Sequence, residues 1–102
     1  MDAELLAQTL SALGSAPRLR IIASLKSEPT HVSELARRLR MSRPLLYQHL
    51  NRLEAAGLVE SDLEQTGENR LKKHYWVTQF AFEITPDLID HIVHQRQEEE
   101  PS

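Results

Sequence analysis

The sequence predicts one mainly α-helical domain with a small β-hairpin. Three observations carry that prediction. Apolar residues at helical spacing, set between capping and stopping residues, run from Ala3 to Ala56 and resume after Thr85. Two short stretches of alternating apolar and polar residues lie between them, around a polar turn. The chain is 102 residues, 40% hydrophobic and 26% charged, which suits a single well-packed core over residues 1–102 and no second one.

The helices are expected over about 3–13, 16–27, 31–39, 43–56 and 86–97. In the first, Leu5, Leu6, Leu10 and Leu13 recur between Asp2 as N-cap and Gly14 as stop. The second begins at Ser15, has Pro17 in its first turn, where the missing N–H does no harm, and cannot pass Pro29. Thr30 is read as the cap of a short third helix with Leu35, Ala36 and Leu39 inward. After "RMS" the start signal repeats: Ser42 caps and Pro44 sits in the first turn. At about 100° per residue, Leu46, His49, Leu50 and Leu53 fall on one face of this fourth helix and Pro44, Leu45, Tyr47, Gln48, Asn51 and Arg52 on the other. Gly57 is the expected left-handed stop, and Leu58 supplies the apolar contact that accompanies it.

"LVESDL" and "RLKKHYWV" are the strands, at about 58–63 and 70–77. In the second, Leu71, Tyr75 and Val77 share one face, and Arg70, Lys72, His74 and Trp76 the other. "FAFEI" prolongs the extended pattern, with Phe80, Phe82 and Ile84 on one side. Thr85 and Pro86 then open the last helix, whose stripe is Leu88, Ile89, Ile92 and Val93.

A net charge of −3 argues against nucleic acid only until its distribution is considered. From His31 to Gly57, Arg37, Arg38, Arg40, Arg43 and Arg52 outnumber Glu34 and Glu54. Arg70, Lys72 and Lys73 follow the hairpin glycine, while the acids gather after Glu83. Two basic zones and an acidic tail steer partners by local field rather than by the total.

Several classes fall away. Without cysteine there are no disulfides, no thiol redox chemistry and no thiolate metal site. No apolar run approaches the roughly 20 residues a membrane helix needs. The acids in "MDAELLAQTL" stand where a secretory signal would be basic, so a cytoplasmic protein is expected. No glycine-rich phosphate loop and no nucleophile–base pair is visible, and so short a chain hardly forms a catalytic cleft. The expectation is a protein that is not an enzyme and needs no cofactor.

Helix, helix, turn, helix and hairpin is the order of a winged helix-turn-helix. "LGSAPRLRIIASLKSEPTHVSELARRLRMSRPLLYQHLNRLEAAGLVES" resembles the core of the ArsR-like family of winged-helix transcription regulators, in particular its archaeal branch with "ITPDLI" after the wing. The resemblance runs from about Leu5 to Ile92 and is most specific from Ser33 to Val59. It implies a homodimer whose fourth helix enters the DNA major groove and whose hairpin reaches a neighbouring groove or the backbone.

The residues carry the same reading on their own chemistry. Arg43 and Arg52 can present a bidentate fork to guanine, and Gln48 and Asn51 can pair with adenine. Tyr47 can reach a phosphate or a thymine methyl, while Ser42 and the backbone amides of the first turn suit a phosphate, with Pro44 on the same DNA-facing side. Arg37, Arg38 and Arg40, with Arg70, Lys72 and His74 on the wing, would hold the backbone of double-stranded DNA. A domain this small spans few base pairs, so two-fold pairing on a half-palindromic operator is expected, with repression by obstruction as the simplest outcome. The first and last helices each have an apolar stripe the domain cannot bury alone, and so supply the dimer interface. The competing reading is a winged helix that binds protein rather than DNA, with these arginines as solvated surface charge. His49 is assigned to the core side.

Members of the resembled family often carry a metal site. One kind uses cysteines at the start of the third helix; here that stretch is His31, Val32, Ser33, Glu34 and Leu35, and His31 alone makes no site. Asp87, His91, His94 and Glu98 line one edge of the last helix and offer zinc or nickel ligands. Their spacing departs from the family's own acid–histidine site, and the plainer reading is a solvated polar face with favourable acid–histidine pairs.

Overall fold

The computed structural model describes residues 1–67 and 70–99, without the side chains of residues 95–99. In chain order the elements are α1 (Ala3–Leu13), α2 (Ala16–Ser27), β1 (Thr30–His31), α3 (Val32–Leu39), α4 (Arg43–Ala55), β2 (Val59–Gln65), β3 (Leu71–Val77) and α5 (Pro86–Glu99). No helix among the described residues is long and apolar enough to cross a membrane.

Side-chain caps start four helices. Asp2 accepts from the Leu5 amide at 2.8 Å, Ser15 from Arg18 at 3.4 Å, Ser42 from Leu45 at 3.4 Å and Thr85 from Leu88 at 3.0 Å. Each satisfies an amide that would otherwise lack a partner, which typically stabilises a helix by about 1 kcal/mol. The expected stop at Gly57 is also found: its φ is +74°, and the Leu58 amide reaches back to the Leu53 carbonyl at 2.9 Å. Gly14 ends α1 differently, at φ −80°, with its amide on the Leu10 carbonyl.

Ile21 and Leu25 of α2, Leu35 of α3, Leu46, Leu50 and Leu53 of α4, with Leu58, Val59 and Tyr75, form the fully buried centre of the core. Burying one such aliphatic side chain contributes about 1.5–3 kcal/mol, so the three α4 leucines alone hold that helix firmly to the domain. Burial also pushes the Tyr75 phenol up to about 12, with Glu54 and Tyr47 adding to the shift.

Three expectations are corrected. The expected hairpin wing is present as β2 and β3, and β1 adds a third strand by pairing antiparallel with β3, giving the order β1-β3-β2. Pro29 favours extended backbone just before it. The chain stays extended through Thr30 and His31, which pair with Tyr75 and His74. Thr30 is therefore a strand residue, and His31 occupies the N-cap position of α3 without a side-chain bond. Residues 78–85 form no strand; Phe80 packs on the core and stacks with Phe82 at 5.9 Å, while Phe82 and Ile84 are exposed. In α1 the inward residues are Leu6, Thr9 and Ala12, and Leu5 and Leu10 face outward.

Candidate nucleic-acid interface

The turn between α3 and α4 aims the candidate face. Arg40 takes the left-handed conformation, φ 52° and ψ 46°, and the Met41 amide closes onto the Ala36 carbonyl at 3.0 Å. The chain then re-enters a helix at Ser42 with α4 packed across α3. Leu46, Leu50 and Leu53 have no exposed surface, and His49 is half-buried. Ser42, Arg43, Pro44, Tyr47, Gln48, Asn51 and Arg52 are all exposed, so the face expected to be outward is outward.

The arginines divide into engaged and free. Arg37 donates from Nε to Glu34 at 2.9 Å, and this hydrogen bond holds the Glu34 carboxyl below its ordinary range, with Arg38 adding to the effect. Arg38 is three-quarters covered and sits between Glu34 at 3.4 Å and Glu28 at 3.3 Å. Arg52 reaches Ser11 of α1 at 3.5 Å. Among the described residues, Arg40, Arg43, Gln48 and Asn51 make no side-chain hydrogen bond or ion pair.

The wing stands beside the start of α4. An open cavity of about 350 Å³ separates them, lined by Arg43 and Tyr47 on one side and Leu63, Leu71, Lys72 and Lys73 on the other. Leu63 and Leu71 are more than half exposed at the wing tip, and Arg70 is exposed just before β3. Glu68 and Asn69 of the turn lie outside the described residues. His74 differs from the expectation: it is half-buried beside His31 and Glu64 rather than open to an approaching phosphate.

The model for bacterial regulatory proteins of the arsR family matches residues 16–61. An HTH-type transcriptional regulator of Methanocaldococcus jannaschii is 42% identical over 78 residues, which span 76% of this chain and 81% of that one. The chain belongs to the arsR family. Solved structures place this arsR-family chain among winged helix-turn-helix folds. The homodimeric winged helix-turn-helix DNA-binding domain of a Mycobacterium bovis protein superposes with a TM-score of 0.64 at 26% identity, over 72% of this chain and 64% of that one. NolR from Sinorhizobium fredii gives 0.64 at 29% identity, over 94% and 84%.

Two residues of the arsR-family chain acquire a role only in three dimensions. Lys73 lines the cavity beside Arg43 although its register places it on the face opposite Lys72. Arg18 is buried and bonds the Ala12 carbonyl at 2.7 Å, the Ser11 carbonyl at 3.1 Å and His49 Nδ1 at 3.1 Å. No periodicity separates such an arginine from a surface one. On α5, Asp87, His91 and His94 are exposed and do not converge within one chain; His94 turns to Asp90 at 2.9 Å. The Glu98 side chain lies outside the described residues.

Proposed function

We propose that the chain is a transcriptional regulator that binds duplex DNA as a homodimer, each copy laying α4 in the major groove, and that it represses by occupying its operator. One observation carries the reading. An apolar face with no exposed surface fixes α4, while Arg43, Gln48 and Asn51 project free on the other side, next to wing lysines across one open cavity. Arg43 suits guanine, Gln48 and Asn51 suit adenine, and Tyr47 a phosphate or thymine methyl. Ser42 keeps a hydroxyl proton to donate while its oxygen caps the helix. Arg37, Arg40, Arg70, Lys72 and Lys73 neutralise phosphates, with Arg38 and Arg52 nearer the protein.

The dimer reading rests on α1 and α5. Leu10 of α1 and Ile89 and Val93 of α5 remain exposed around a shallow apolar cavity of about 210 Å³ that also takes in Leu6 and Ile92. The radius of gyration is 17.1 Å, against about 13 Å for a compact chain of 100 residues. A second copy packed there would cover these side chains and set two α4 helices about one DNA turn apart.

Genomic fragments selected on the immobilised protein, followed by footprinting, test the proposal. The expected result is a two-fold site protected in two successive major grooves, with affinity falling steeply with salt. Protection confined to the minor groove, or retention insensitive to salt, would refute it.

A further inference from the structure

We propose that the root of the wing is a divalent metal site of the zinc class, with His31 Nε2, His74 Nδ1 and a Glu64 carboxylate oxygen as its three protein ligands. The sheet brings them together from three strands. His31 of β1 and His74 of β3 are register partners, and Glu64 of β2 stands two register pairs further along, on the same face as His74. His31 Nε2 is 3.6 Å from one Glu64 oxygen and His74 Nδ1 is 3.3 Å from the other, and the three ligand atoms lie within 4.8 Å of one another.

The state of the two nitrogens points to a ligand. Both are closed off from solvent, yet neither makes a hydrogen bond: His31 Nε2 is too far from Glu64 at 3.6 Å, and His74 Nδ1 at 3.3 Å is not aligned for one. Buried polar atoms without partners are costly, and a pair of them aimed at one carboxylate calls for a shared occupant. Zinc bonds imidazole nitrogen at about 2.0–2.1 Å and carboxylate oxygen at about 2.0–2.2 Å, so tetrahedral ligands stand about 3.3 Å apart. The His74–Glu64 edge already has that length, and His31 Nε2 stands 3.6 Å from the other oxygen of the same carboxylate. The rings meet edge to face at 5.1 Å, which keeps both nitrogens within 4.8 Å of one another and of the carboxylate. Two imidazoles and a carboxylate leave one position for water. Asp62, the register partner of His74, stands on the same face and adds negative charge. Lys72, across from Glu64, is the competing cation.

The plain competitor is a protonated histidine paired with Glu64. Zinc titration calorimetry on the full chain after chelator treatment separates the two, together with the imidazole nitrogen resonances of the unmutated protein, which need no variant to fold. The expected result is one zinc per chain, with large shifts at His31 Nε2 and His74 Nδ1. His31→Ala and His74→Ala should each weaken binding by more than about tenfold, since even outer-shell losses at metal sites cost that much. His91→Ala/His94→Ala should bind zinc like the parent. The proposal fails if excess zinc gives no binding isotherm, if those two nitrogens do not move, or if only the α5 double variant loses affinity. None of these readouts involves DNA, so the site stands or falls separately from the regulator reading.

Discussion

The Arg18 guanidinium lies 3.1 Å from Nδ1 of His49, joining α2 to the inner edge of α4 beneath the exposed face. Arginine has only donors, so His49 must accept at Nδ1 and carry its proton on Nε2. Two further Arg18 donors serve the Ala12 and Ser11 carbonyls at the end of α1, where the helix leaves acceptors unpaired. One buried cation thus fastens three helices.

Arg18→Met keeps much of the apolar stem and removes the donors. Hydrogen bonds from charged groups contribute about 1.5–3 kcal/mol, and the variant leaves two carbonyls and a histidine nitrogen wanting. The expected loss is about 2–4 kcal/mol of unfolding free energy in urea. An unchanged midpoint would show that water replaces the guanidinium without cost.

His49 should also make stability depend on pH. Burial lowers its pKa below the ordinary 6.5, and Arg18 and then Arg52 lower it further. The folded state therefore favours the neutral ring. Its contribution is complete above the unfolded-state value and is lost as pH falls through the lower folded one. Unfolding free energy should decline from pH 7 toward pH 5, and His49→Gln should flatten that part of the profile. A profile steeper in the variant than in the parent would contradict the assignment.

Arg40 separates fold from binding. Its left-handed φ of 52° strains a residue with a Cβ, and glycine removes the strain at some cost in unfolded-chain entropy. Arg40→Gly should leave the domain as stable or up to about 1 kcal/mol more stable, while losing one phosphate-facing cation. The salt dependence of duplex binding should then become shallower by about one ion per copy. Equal slopes for both proteins would take Arg40 out of the interface.

The same turn marks where the sequence stops being informative. Ser42 with Pro44, and Gly57 with Leu58, announce the ends of α4 because caps and stops are local chemistry, and the structure has both. Its inward leucines followed from spacing alone. Arg40 gave no such sign, since no glycine or asparagine advertises the left-handed residue there. β1 was hidden because a two-residue strand has no periodicity; only β3 reveals it. For the same reason His31 read as solitary, and His74 as a phosphate contact, until the register paired them. Arg38 counted as a free cation in the sequence but is held by Glu28 and Glu34, residues ten and four positions before it.

Arg43→Ala/Gln48→Ala tests the reading face directly. Both residues are exposed and without partners among the described residues, so thermal stability should be unchanged. Each bidentate base contact is worth about 1–3 kcal/mol, and the double variant should weaken operator binding by at least about thirtyfold. Binding to unrelated duplex should fall much less, because the remaining cations act without regard to sequence. Equal losses on both DNAs would make the face a phosphate clamp rather than a reader.

Ile89→Glu/Val93→Glu addresses the two-fold partner. Both side chains are nearly half exposed on α5, beside Leu10 of α1, so carboxylates there meet solvent in a monomer and are accommodated. In a dimer built on this surface, each copy would bury two new charges against apolar groups. Desolvating even one carboxylate without a partner costs several kcal/mol, enough to shift association by orders of magnitude. Sedimentation should therefore show dimer for the parent and monomer for the variant at the same concentration, with helical content preserved. The monomer should also lose operator affinity, because a single α4 spans only a half-site. A variant that remains dimeric and binds normally would move the interface away from α1 and α5.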